Sequence, residues 1–139
     1  MKNVRFTLLL LWAATALLSS CKKEKDPAPD LATRVASTYV FSELFYDGRT
    51  IPAKDTDLKG SVRITRKTET TVDIQLDIRQ KSTNDDFMAY DVEGVILTEN
   101  GSEVFLAYEG EQFAKIKGDA ITVTGEDSAG ERFAIIAKR

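Results

Sequence analysis

Val72-Asp73-Ile74-Gln75-Leu76-Asp77-Ile78-Arg79 alternates without exception between apolar and polar side chains. Successive side chains of an extended strand point to opposite faces, so this run reads as a strand with one dry face and one wet face. Val62-Arg63-Ile64-Thr65-Arg66 repeats the pattern, and residues 67–69 form a link short enough to demand an antiparallel hairpin. A chain built on such hairpins must cover the dry faces of its strands with one another, which points to an all-β core.

The remaining sequence carries the same grammar. A long β-prone run over residues 87–97 leads to Glu99-Asn100-Gly101-Ser102 and a further strand at 104–108. Asn-Gly tolerates the positive φ of a type I′ turn, so this is the strongest hairpin signal in the chain. Strands are expected again at residues 112–117, 120–124 and 132–138, with turns at Gly118-Asp119 and at 125–130, and a first strand lies within residues 35–46. Eight strands in sequence order, joined by short turns and with no amphipathic helix between them, predict an up-and-down antiparallel meander. Closing it into a barrel hides both edge strands, so an eight-stranded barrel is expected ahead of the alternative β-sandwich. Residues 133–137 are apolar on both faces, which fits a last strand covered or paired on both sides.

Composition removes several chemistries. There is no histidine, which excludes Ser-His-Asp and Cys-His catalysis and His-containing zinc sites. The single cysteine, Cys21, rules out an internal disulfide. The first twenty residues hold Lys2 and Arg5 and no acid, so the chain from Cys21 onward has 17 basic against 22 acidic residues. That mildly acidic balance argues against nucleic acid, which needs a basic stripe to displace counterions.

Residues 1–20 read as a signal segment. Lys2 and Arg5 precede Phe-Thr-Leu-Leu-Leu-Leu-Trp-Ala-Ala-Thr-Ala-Leu-Leu, an apolar run well short of the roughly 20 residues that span a membrane. It ends on Leu18-Ser19-Ser20-Cys21, which resembles the lipobox of bacterial lipoproteins. The resemblance implies cleavage before Cys21 and acylation of its thiol, a lipid sufficient to anchor the chain. Lys22-Lys23-Glu24-Lys25-Asp26-Pro27-Ala28-Pro29-Asp30 offers nothing apolar to pack, so residues 21–33 are expected to form a flexible tether and residues 34–139 the folded domain. Lys22 stands where an aspartate marks inner-membrane retention in many such lipoproteins, which implies the outer membrane. The charged stretch after Cys21 also resembles the export signal of surface lipoproteins of Bacteroidota; periplasmic and surface-facing orientations both stay open.

The order and spacing of the strands resemble the calycin superfamily, specifically the lipocalin-like domains of bacterial lipoproteins, over roughly residues 34 to 139. Ser37-Thr38-Tyr39 stands where lipocalins carry Gly-x-Trp, with Tyr39 in the place of the tryptophan; the basic residue that covers it from the last strand is Lys138 or Arg139. The resemblance implies a non-enzymatic, monomeric domain without cofactor or metal, binding a small apolar ligand or an envelope protein; the alternatives are a structural or adhesive β-sandwich module without a ligand cavity, and an enzyme. Aromatic residues expected to line a cavity are Tyr39, Phe41, Tyr90, Phe105, Phe113 and Phe133.

Other candidate groups have simpler readings. Asp73 with Asp77, and Asp91 with Glu93, share strand faces as acid-base pairs do, yet a solvated face accounts for them. Asp55-Thr56-Asp57 and Asn84-Asp85-Asp86 lack the ligand ladder of a calcium loop and fit ordinary turn chemistry.

Overall fold

The computed structural model describes residues 26–139; the signal segment and Cys21 lie outside the described residues. A short helix, α1 (Leu31–Val35), leads into β1 (Ser37–Tyr46), β2 (Arg49–Pro52) and a 3-10 turn at Ala53–Asp55. There follow β3 (Leu58–Arg66), β4 (Thr71–Gln80), β5 (Asp86–Asn100), β6 (Glu103–Tyr108), β7 (Glu111–Lys117), β8 (Ala120–Glu126) and β9 (Arg132–Lys138). From β3 onward each strand pairs antiparallel with the next, and β9 returns to pair with β1 from Val40↔Lys138 to Tyr46↔Phe133. The other side of β1 takes β3 over its first half and β2 over its second. The result is a closed, eight-stranded up-and-down barrel of β1 and β3 to β9, with β2 as an added strand at one rim. Closure rather than a sandwich resolves the edge problem, and it explains the two apolar faces of β9, which lies between β8 and β1.

Burial follows the alternation. In β4, Val72, Ile74, Leu76 and Ile78 are buried while Gln75 is exposed. Their cross-strand partners Val62 and Ile64, together with Leu106, Ile116, Ile121, Val123, Ile135 and Ala137, fill the lumen as expected of a barrel this narrow. Gly60 lets β3 and β4 approach: its φ is +142°, and a Cβ there would fall 1.9 Å from the Asp77 carbonyl oxygen.

The alternation also breaks. On β5, Glu93 and Gly94 together face Asp73, so Val92 pairs with Ile74 while Val95 pairs with Val72. Gly94 has φ +71° and donates its N–H to Asp73 Oδ1 at 2.8 Å. That bond, with Lys67 beside it, holds the Asp73 carboxyl below its ordinary range. The bulge shifts the inward phase, so Met88, Tyr90 and Val92 share the lumen face before it and Val95 and Leu97 do so after it.

One end of the barrel is capped by α1. Five residues do not make a stable helix alone, so its anchors matter. Asp30 caps it by accepting from the Thr33 N–H at 2.8 Å and pairs with Arg66 at 2.8 Å. Ala32 and Val35 are buried, the Ala32 N–H donates to the Glu69 carbonyl at 3.1 Å, and Arg34 pairs with Glu99. The packed chain therefore begins at Asp30, inside the stretch expected to be tether; a single helical turn is too short for its apolar spacing to stand out in sequence. Beneath α1, the Tyr39 hydroxyl donates to the Val35 carbonyl at 2.9 Å. Arg139 lies over its ring at 5.4 Å and donates to the Arg34 carbonyl at 2.9 Å, whereas Lys138 pairs with Glu43 at 3.0 Å. Burial pushes the Tyr39 phenol up and Arg139 opposes the shift. Cap, closed sheet and core all lie within residues 30–139, so a chain starting at Asp26 carries the complete folding unit.

Candidate functional site

The opposite end is built differently. β6 pairs with β5 only from Ile96↔Ala107 to Asn100↔Glu103, so residues 86–95 of β5 have no strand on that side. Between this free edge and the β6–β7 turn a cleft of about 400 Å³ reaches into the lumen. Ile74, Leu76, Met88, Val92 and Val123 form its apolar floor. Tyr90, Tyr108 and Phe113 stand along its sides, and Glu109 and Glu111 flank Gly110 at its rim. Gly125 leaves room at one corner, since a Cβ there would fall 2.6 Å from Phe133 Cζ and 3.0 Å from Met88 Cε. Beside the cleft, the rings of Phe87 and Phe133 meet with centroids 5.4 Å apart, linking β5 to β9.

Two local irregularities aim these side chains. The Glu93–Gly94 bulge turns Tyr90 and Val92 onto the face of Leu76 and Ile74. A second bulge lies in β7, where Leu106 pairs with Ala114 but Ala107 pairs with Gln112, leaving Phe113 as the extra residue. Bulges of this kind re-aim side chains at barrel rims.

Of the six aromatics expected to line a cavity, Tyr90 and Phe113 meet in this cleft. Phe133 lies next to it, in a recess of about 510 Å³ that shares Glu111, Phe113, Thr124 and Gly125 and continues to Glu126 and Arg132. Tyr39 and Phe41 are packed in the core, Tyr39 directly beneath the capped end. Phe105, opposite Lys115 and Thr98, is on the outer face of the barrel. Tyr108 stands among the aromatics spread over the strands in sequence, whereas Met88, Val92, Glu109 and Glu111 were not singled out by sequence reasoning. The signal that could have found Met88 and Val92 is the phase change within residues 88–97, where apolar residues move from even to odd positions around Gly94.

Three of the four paired carboxylates singled out in sequence, Asp73, Asp77 and Glu93, serve local structure. Asp73 holds the β5 bulge, Asp77 pairs with Arg79 at 2.7 Å, and Glu93 pairs with Lys67 at 3.2 Å. The two acidic loops are tied together: Lys81 donates to the carbonyls of Ala53 and Thr56, both at 2.7 Å, and Asp57 accepts from the Ser82 N–H at 3.0 Å and from its hydroxyl. Among the described residues no group of three or more metal-ligating side chains comes together, and no helix is long and apolar enough to cross a membrane. No family model, curated protein or solved structure matches the chain.

Proposed function

We propose that this chain is a lipid-anchored envelope protein of the lipocalin-like kind, acylated at Cys21, that binds a small apolar ligand in the cleft without chemical turnover. The observation that carries the reading is the cleft itself: an apolar floor open to solvent at the uncapped end of the barrel. Its volume falls in the lower part of the roughly 300–1,000 Å³ range of small-molecule pockets. The Tyr39–Arg139 stack supports the calycin reading, because it sets an aromatic residue of the first strand under a basic residue after the last, as the lipocalin resemblance implies. The Leu18-Ser19-Ser20-Cys21 motif supports anchoring, and Lys22 supports an outer-membrane address.

The ligand test uses residues 26–139 and an uncharged environment-sensitive dye. Saturable, one-to-one uptake is expected, and Val92→Trp, which fills the cleft from a half-buried position, is expected to abolish it while leaving the melting temperature near that of the parent. Anchoring has a separate test: Cys21→Ala is expected to end incorporation of a clickable fatty acid, and undiminished labelling would defeat the lipoprotein reading.

A second reading, in which a partner protein binds, is favoured by the free edge of β5 over residues 86–95, where Phe87 and Tyr90 are also exposed. An extended segment could add to that edge through main-chain hydrogen bonds. Failure of the dye to bind would shift the weight to this partner.

A further inference from the structure

We infer that the ligand held in this cleft is a cationic amphiphile, a short apolar body with an ammonium-type head, and that carboxylate amphiphiles are rejected; the inference rests on the cleft reading above. The side chains lining the cleft include neither lysine nor arginine, and the two that ionise at neutral pH are both carboxylates, Glu109 and Glu111. Among the described residues neither has a basic partner within ion-pair distance. Other acids at this end of the barrel do: Asp77 and Asp86 face Arg79, and Glu126 faces Arg132. Arg132 belongs to the neighbouring recess, so no guanidinium reaches into the cleft to receive an anionic head.

The aromatic walls select in the same direction. An aromatic ring presents a negative face, which attracts a cation and repels an anion. Tyr90 is 57% exposed and Tyr108 is 42% exposed, so both have ring surface to offer at the mouth, with Phe113 between the mouth and the lumen. An apolar tail on the floor of Leu76, Met88 and Val123 would place its head among these rings and next to the two glutamates. A carboxylate head there would meet two like charges and gain no donor from any lysine or arginine. Tail burial supplies affinity to any amphiphile of the right size; charge decides among them.

Three probes sharing one tail separate the two contributions: decyltrimethylammonium, decanol and decanoate, each titrated calorimetrically into residues 26–139 below its self-assembly concentration. Decyltrimethylammonium is expected to bind about tenfold more tightly than decanol, with decanoate weakest. Raising the salt concentration should narrow that order, because the glutamates are exposed. The double variant Glu109→Gln/Glu111→Gln, at two exposed positions flanking Gly110, is expected to bring the ammonium probe down toward decanol. Decanoate or decanol binding as tightly as the ammonium probe would overturn the charge inference while leaving the cleft as a ligand site. Binding of none of the three would overturn the cleft reading, and the inference with it.

Discussion

The two ends of the barrel are made from the same eight strands and solve opposite problems. At the capped end the polar groups are matched: Asp30 with Thr33 and Arg66, the Tyr39 hydroxyl with Val35, Arg139 with the Arg34 carbonyl. At the cleft end residues 86–95 of β5 have no strand on the β6 side, the bulges at Glu93–Gly94 and Phe113 re-aim the side chains that line the cleft, and large apolar side chains such as Tyr90 stay exposed. The contrast teaches where each property of the domain resides. Matched polar groups close the barrel beneath α1, and the bulges together with the unpaired edge of β5 leave a cleft that reaches into the lumen. Binding surfaces drawn from the less stable parts of a fold follow the same logic.

The sharpest attempt to break this comparison uses one strand on both sides of its bulge. Val95→Asp is expected to unfold the domain, because Val95 is fully buried and its carboxylate would lack a partner. Such burial costs several kcal/mol against a typical total of roughly 5–15 kcal/mol. Val92→Asp, three residues earlier on the cleft side, leaves its carboxylate within reach of water and should preserve a cooperative urea transition. Equal loss in both variants would show that the cleft end is as dry as the capped end.

A smaller effect is expected for the two tyrosines. Tyr39→Ala removes a fully buried ring and should cost about 3–5 kcal/mol, whereas Tyr90→Ala should change stability by less than about 0.5 kcal/mol while weakening dye binding. Tyr39→Phe isolates the hydroxyl: the Val35 carbonyl loses its donor, at a cost of about 1 kcal/mol in denaturant unfolding.

The smallest effect sharpens the role of the helix cap. Arg66, followed by the Thr33 amide, holds the Asp30 carboxyl well below the usual carboxylate range. A carboxylate depressed in the folded state contributes stability above its unfolded pKa of about 3.9, and that contribution fades as pH falls toward the folded value. Melting temperature measured by circular dichroism should therefore drop for the parent on acidification below about pH 4. Asp30→Asn should start slightly lower at neutral pH and fall less steeply over the same interval.

Strand content was legible because burial in a barrel is two-sided and nearly binary. Ile74 and Leu76 inward with Gln75 outward is the whole story of β4, and each of the eight expected strands is present, six of them with extended ends. β2 was hidden because Arg49-Thr50-Ile51-Pro52 is too short to show a period. Helix α1 was hidden for the same reason. The cleft was harder to read, since aromatic identity says nothing about direction: Phe105 differs from Phe113 because one continues its strand's phase and the other sits at a bulge. Only pairing register separates them, and register is a property of two strands at once. The Tyr39 pairing was narrowed in sequence to Lys138 or Arg139; geometry chose Arg139 because Lys138 projects toward Glu43.

Helix α1 has a consequence for the direction of traffic. The chain enters the barrel at the capped end, and Cys21 precedes Asp30 by nine residues, which fully extended reach about 30 Å. Under the proposed lipid anchor, the tether would join the barrel at its capped end, and the cleft would open at the end farther from the point of attachment. A ligand taken up under that proposal would meet the cleft at the mouth remote from the attachment point.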